Sequence, residues 1–561
     1  MIDIKTLGSI KYSKSKTIIK VKISEIKQGL NLRDNFFILN ENGKYRVYDR
    51  ICDHRGGKLI NKDDVIKCPI HNWIFDPISG RYSNGIKKKP IPFKKNGNNI
   101  EFITYVFIPS IKKKNFFPQE NKISLRFFNH AFLKFKTKNI SFCTDPWAIG
   151  PAFYNGWWLK NDTHEDWVEE LNNSDFIYVS HNHPDHLHPQ TLSKLNKDKK
   201  ILVPNFLSDS TYLFLKDEGF KNIKKLEFEK EYHFDKSNLV LTTFKSGDFR
   251  EDSGIYFSLN KFSALLDVDA GNINFNRFPK VDLYGSSFAG GASGFPMMFE
   301  NYSEEQKNKI IKLDRKFVIS KKTKNLSMNS AKYFLPYAGF FEEKLKRDNY
   351  VKMMNKKNKI NDYNNFCVKK KIQLLDIEKS NFFEFYHNNL ILKKKITKNY
   401  FFDKSHDEYL KDFERKNSKI NKKFIEDYFK NSGFKDDLVL IVSLTDSLFK
   451  KNDLQFYVCF DKEFSFKIIK NTKILKKMFS SKRILHLKIR KEAFIDCIKN
   501  AKSWEDLLVG FQVKVDRNPN IFNSKFWHHF SNVYVSKKRV KIISKCNSCD
   551  VITQELYTKI N

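Results

Sequence analysis

The chain has 561 residues, 40% of them hydrophobic, which is too long for one core and enough for three or four compact units. Its eight cysteines are too sparse for a secreted disulfide framework and no run of eighteen apolar residues appears, so a cytoplasmic protein without membrane insertion is expected. The formal charge of +38 is mostly lysine, spread along the chain beside Asn, Ile and Phe, and no helix-turn-helix or RNA-binding pattern accompanies it, so nucleic acid is not an expected partner.

Residues 1–108 read as short strands, among them "NFFILN", "KYRVYD" and "IEFITYVF", broken by turn signals at Asn42-Gly43, Ser79-Gly80 and Asn84-Gly85. A small all-β unit is expected. Inside it lie "ICDHRGGKL" and "CPIHNWIFD", which pair Cys52 with His54 and Cys68 with His71. Two Cys on one iron and two His on the other is the ligand order of a Rieske [2Fe–2S] centre. A zinc finger groups its cysteines apart from its histidines, whereas each pair here is mixed. Gly56-Gly57 and Pro69 suit the tight turns that bring two such loops together. Neutral imidazoles in place of two thiolates raise the potential, so the expected role is an electron relay.

Residues 120–350 alternate strands with helices. "DTHEDWVEELNN" carries an apolar stripe at Trp167, Val168 and Leu171, and the buried-looking strand "DFIYVS" follows it. The loop leaving that strand reads "SHNHPDHLH", with a helix starting near Pro189. His181, His183, Asp185 and His186 form the signature loop of the metallo-β-lactamase fold, an αββα sandwich that binds one or two metals. His188 falls outside the motif and reads as a residue behind the ligands or on the surface. A further carboxylate is expected from "LLDVDAG", with Asp269 favoured over Asp267, although both alternate onto the same strand face. Where a hydrolase of this fold supplies another His, the nearest group is Asp248, with Asp252 behind it. Such a mixture of carboxylate and imidazole suits iron at least as well as zinc.

Residues 351–400, opening with the polar "VKMMNKKNKINDYNNFCVKKK", read as a linker or extension, and 401–561 as a small C-terminal α/β region containing "DDLVLIVSLTD" and "SWEDLLVGFQVKV". His528-His529 reads as part of a packed helix, and Trp157-Trp158 as core or a stacking platform. The expected class is therefore multidomain α+β.

A hydrolase needs only a Lewis acid and an activated water, and an attached electron relay would be idle beside it. A metal that reduces O₂ must be fed electrons, and a tethered cluster delivers them at high effective concentration. That contrast favours an oxygenase. With the blocks "DPWAIGPAFYNGWW", "SSFAGGASGFPMMF", "LPYAGFF" and "WEDLLVGFQVKVDRNPNIF", the chain resembles the CMP-N-acetylneuraminate hydroxylase family from the first cluster almost to its C-terminus.

The resemblance implies a monooxygenase that hydroxylates the N-acetyl methyl group of CMP-N-acetylneuraminate, giving CMP-N-glycolylneuraminate with O₂ as co-substrate. Electrons would come from an NAD(P)H reductase through cytochrome b5 or a ferredoxin. It implies that Cys52, His54, Cys68 and His71 hold the cluster, and that His181, His183, Asp185 and His186 hold mono- or dinuclear iron. The family places a His where this chain has Asp248. Gly290, Gly291 and Ser293 in "FAGGASGFP" are candidates for binding the phosphate or carboxylate of the nucleotide sugar, a tight turn being the competing role. The alternative reading is a hydrolase of nucleotide sugars or phosphodiesters with an accessory Rieske module.

Overall fold

The computed structural model describes residues 4–9, 12–33, 35–53, 59–62, 65–67, 74–82, 85, 87–109, 122–206, 208–235, 237–246, 250–271, 273, 280–386, 391–396, 404–461, 463–470, 478–479, 481–532, 534–535 and 540–541. At its centre two eight-stranded sheets face each other. One carries the strands Ser141–Thr144, Phe176–Tyr178 and Ile201–Pro204 in parallel, flanked by the hairpin Lys122–Asn129 and Phe132–Lys136. The other runs from Lys230–Phe234 through Ser253–Leu259 and Phe262–Val268 to Leu283–Ser287 and Tyr333–Tyr337.

Side-chain alternation explains the layers. Phe142, Tyr178 and Leu202 point into the core between the sheets. Their neighbours Cys143, Ile177, Ile201 and Val203 point the other way, where Trp167, Leu171, Leu192 and Leu215 of three short helices cover them. On the far side the long helix Glu304–Asn329 lies over the second sheet, opened by a capping box at Ser303 and Gln306 and seated through Leu326. The result is a helix–sheet–sheet–helix sandwich, the expected αββα architecture.

The N-terminal strands form three small sheets over two cores, one holding Phe37, Tyr48, Cys52, Phe75 and Tyr82, the other Val21, Ile38, Val47 and Phe102. The strand Ile4–Ser9 does not join them; it pairs antiparallel with Lys230–Phe234 at the edge of the sandwich. Residues 351–400, expected as a linker or extension, also contribute structure. Helix Asn364–Lys370 and strand Gln373–Leu374 extend the second sheet's side, and Phe382–Tyr386 and Ile391–Lys394 complete the first sheet next to Lys122–Asn129. The lysines that make this segment look like a linker crowd positions 352–371; farther on, Phe383 and Phe385 of the strand Phe382–Tyr386 are buried.

The C-terminal α/β unit is a five-stranded sheet centred on Val439–Thr445 and Ile484–Arg490, covered by helices that include Lys422–Asn431, Lys491–Lys499 and Ser524–Asn532. It is bonded to the sandwich along a tight seam. Val515 exchanges backbone hydrogen bonds with the Met298–Glu300 segment, Trp157 Nε1 donates to the Val509 carbonyl at 2.9 Å, and buried Asp348 and Arg490 pair at 2.7 Å. Gly156 and Gly510 let the two backbones touch: a Cβ on Gly156 would lie 2.1 Å from the Gly510 carbonyl oxygen. No helix among the described residues is long and apolar enough to cross a membrane.

Candidate metal centre

The carboxyl ends of the parallel strands Ser141–Thr144 and Phe176–Tyr178 lie side by side, and both loops leaving them carry ionisable residues, as open α/β sheets arrange their sites. Asp145, with φ of 41°, follows the first, and the His181–His186 loop follows the second. Asp145 Oδ1 accepts the Ser180 N–H at 2.7 Å, so one loop shapes the other.

Five of the residues expected in this site, His181, His183, Asp185, His186 and Asp269, are brought together, with Asp252 beside them. His181 and His186 rings are 4.2 Å apart and those of His181 and His183 4.6 Å. Asp269 Oδ2 lies 3.6 Å from His186 Nε2 and 3.9 Å from His181 Nε2, and Asp252 Oδ1 lies 3.9 Å from His181 Nε2. Asp185 Oδ2 is 3.3 Å from His186 Nε2. Donor atoms of His181, His183 and Asp252 lie within 4.8 Å of one another, as do those of His181, His186 and Asp269. The strand Phe262–Val268 slips register between Leu266 and Val268, and Val268 has φ of 49°. This bulge separates the two aspartates that simple alternation puts on one face. Asp267 turns to Tyr284 and Lys322, and Asp269 turns to the histidines. Asp248, His54, Cys68 and His71 lie outside the described residues.

His181 and His186 are oriented from behind. His181 Nδ1 is 2.8 Å from Ser180 Oγ, and Ser253, bonded by Tyr178, donates to the Ser180 carbonyl. His186 Nδ1 faces Asp145 Oδ2 at 3.3 Å. His130, at the tip of the Lys122–Lys136 hairpin, reaches Asp185 Oδ2 through Nε2 at 3.1 Å. Ring nitrogens held in this way leave their other nitrogen for a cation. His188 plays a different part: it caps the helix Pro189–Ser193, accepts the Thr191 N–H and donates from Nε2 to the Pro151 carbonyl. Burial pushes its pKa down to about 4.

The electrostatics fit a cation. Burial, then His186 and His183, hold His181 neutral, with its lone pair available. Burial opposes the charged forms of Asp185 and His186 too, but their mutual attraction overrides it, lowering Asp185 and raising His186. Asp185 Oδ1 and His186 Nε2 are buried without a hydrogen bond among the described residues. Unbonded polar atoms converging at one place are costly unless a metal satisfies them.

The C-terminal unit also reaches the centre, which sequence reasoning missed. Glu505 pairs with Arg250 at 2.7 Å and Asp506 is buried, and both carboxyls act on His183. Burial pushes Asp506 up to about 7 against the pull of His183 and Lys502. Asp145 and the Glu505–Asp506 pair sit in two of the sequence blocks that carry the family resemblance, but His130 carries no signal in its neighbourhood "FFNHAF". The loop holding Gly290, Gly291 and Ser293 is engaged internally: the Gly291 carbonyl accepts from Asn355 at 3.0 Å, Ser293 Oγ accepts the Phe295 N–H, and Gly294 packs on Leu508.

In the N-terminal unit Cys52 is buried beside a bonded network. Tyr82 donates to Asp53 at 2.7 Å, and the buried Lys88 ammonium holds Asp49, the Ile51 carbonyl and Asp53. This network fixes the backbone on both sides of Cys52.

Residues 14–94 match the Rieske [2Fe-2S] domain. Over nearly its full length the chain is similar to cytidine monophosphate-N-acetylneuraminic acid hydroxylases. The protein from Gorilla gorilla gorilla is 28% identical, covering 91% of this chain and 90% of the relative. The one from Mus musculus is also 28% identical, covering 92% and 95%. Among solved structures, CmlA, a diiron beta-hydroxylase from Streptomyces venezuelae, aligns with 48% of this chain and 55% of its own at a TM-score of 0.32 and 14% identity.

Proposed function

We propose that this chain, like the hydroxylases it resembles along 91% of its length, is a Rieske-type monooxygenase that turns the N-acetyl methyl of CMP-N-acetylneuraminate into a hydroxymethyl group. The observation that carries the reading is the joining, in one chain, of a Rieske domain to a buried cluster of three imidazoles and three carboxylates. When bound, the [2Fe–2S] cluster supplies electrons one at a time, and iron in the second site supplies the means of reducing O₂.

In this reading His181, His183, Asp185, His186, Asp252 and Asp269 would hold the iron. His130 and Asp145 fix the orientation of Asp185 and His186, and the Tyr178–Ser253–Ser180 chain fixes His181. Cys52, His54, Cys68 and His71 hold the cluster, fed by a one-electron donor such as cytochrome b5 or a ferredoxin with its NAD(P)H reductase. Asp269 keeps a third of its side chain exposed while His181 and His186 are sealed.

The test is anaerobic purification with iron and sulfide counted, then incubation with CMP-N-acetylneuraminate, reductant and ¹⁸O₂. One labelled oxygen in the acyl group is the expected product. Release of CMP or free sugar without O₂ consumption would instead establish the hydrolase.

A further inference from the structure

Beside the metal-centre loop lies a cleft of about 1100 Å³ running along the seam between the sandwich and the C-terminal unit. Its inner end is lined by Asn182, which stands between His181 and His183, and by Asp506. Asp506 is 5% exposed, and its Oδ1 has no hydrogen bond among the described residues, so a buried carboxylate oxygen stands there unsatisfied. Part of the wall is apolar: Leu213 and Phe214 come from the sandwich helix Ser210–Asp217, and Phe424, Ile425, Ile495 and Ile498 from the C-terminal unit. The outer rim is cationic on one side only. Lys416, Lys419 and Lys499 are exposed and make no ion pair among the described residues, whereas the sandwich wall offers Asp217 and Glu218.

We infer that this seam cleft seats the substrate, its acyl arm at the Asn182–Asp506 end and its phosphodiester and carboxylate on Lys416, Lys419 and Lys499; the assignment rests on the nucleotide-sugar reading above. A sialic acid nucleotide carries two negative charges, both set back from the acyl arm, while Asp185, Asp252 and Asp269 at the centre would be engaged by the metal and Asp506 adds a further carboxyl there. Attraction must therefore come from cations set back from the reacting end. The sandwich does not supply them along this cleft, and the C-terminal unit does. The volume, just above the ~300–1,000 Å³ usual for small-molecule sites, suits a nucleotide sugar better than a single sugar ring. The apolar part of the wall leaves the pyranose and base to be held by contact area.

The test uses the full-length, metal-loaded protein and two triple variants. One is Lys416→Ala, Lys419→Ala, Lys499→Ala. The other, Lys309→Ala, Lys312→Ala, Lys316→Ala, removes the same charge from exposed positions of the long helix on the opposite sheet. Binding of CMP is read by calorimetry and turnover of CMP-N-acetylneuraminate by mass spectrometry. The rim variant is expected to weaken CMP binding and raise KM about tenfold or more while kcat moves far less, and the helix variant to match the parent in both. Equal CMP affinity in the rim variant, or an equal loss in the helix variant, overturns the cleft assignment. A parent that binds CMP through the rim yet adds no oxygen to the sugar leaves the cleft standing and removes the monooxygenase reading.

Discussion

Asp145 offers the sharpest separation of fold from metal binding, because its two carboxylate oxygens do different things. Oδ1 accepts the Ser180 N–H at 2.7 Å, and Oδ2 faces His186 Nδ1 at 3.3 Å, with the whole side chain buried. In Asp145→Asn the amide oxygen can keep the first bond, and Asn tolerates the left-handed backbone at φ of 41°. Its NH₂ then meets the ring nitrogen that must be protonated when Nε2 binds a cation, so donor faces donor. Outer partners of this kind are worth ~10–100-fold in metal affinity, or about 1.4–2.7 kcal/mol. Asp145→Ala loses the same partner, strands the Ser180 N–H at ~1–3 kcal/mol and adds ~1–2 kcal/mol of left-handed strain, so it is destabilised by ~2–5 kcal/mol as well. Iron retained against a graded chelator measures the first quantity, and urea unfolding of the metal-free protein the second. An Asn variant that keeps iron as tightly as the parent refutes the assignment of Asp145 as the support of His186.

Three other outcomes follow from the same geometry. Gly156→Ala drives a Cβ to 2.1 Å from the Gly510 carbonyl oxygen, and since backbone cannot yield cheaply the seam should loosen by ~1–3 kcal/mol; faster proteolysis between the units and weaker CMP binding are the readouts. His529 donates to the Ser432 carbonyl at 2.8 Å, and burial lowers its pKa to about 4. The unfolded chain, with a pKa near 6.5, then binds a proton that the folded chain refuses, so His529 costs no stability above pH 7 and its destabilisation grows as pH falls from about 6.5 toward 4. His529→Gln should flatten that part of the urea-midpoint profile. His130→Ala, which frees Asp185 Oδ2, should lower iron occupancy of the second site about tenfold or more while the cluster's visible spectrum stays intact.

The legible parts of this molecule are those where one chemical demand is met by residues close together in the chain. The His181–His186 loop is such a case: spacing alone gathers three imidazoles and a carboxylate at a strand end, and the structure sets them there. The apolar run "DFIYVS" likewise reads as a buried strand, and both of its faces are covered by apolar layers. Alternation failed at Asp267 and Asp269, where one bulged residue rotates the strand, and no local feature of "LLDVDAG" announces a bulge that tertiary contacts impose. After residue 351 composition, not alternation, sets the expectation: lysines crowd positions 352–371, while Phe383 and Phe385 farther on are buried in a strand that pairs with Lys122–Asn129.

The largest omission was the C-terminal unit's share of the centre, and its reason is physical. Glu505 and Asp506 are more than three hundred residues from His183, and nothing near them resembles a metal loop. What places them is the close approach of Gly156 to Gly510 and the hydrogen bond from the Trp157 indole to the Val509 carbonyl, contacts that leave only two glycines and a tryptophan as a trace. A unit held that closely, with buried Arg490 locked to Asp348 at the same seam, forms a fixed wall. The "WEDLLVGF" block therefore combines two demands: its carboxylates act on His183, and its glycine permits the approach that brings them there. A substitution at Gly510 should accordingly disturb the metal centre as well as the fold, through His183.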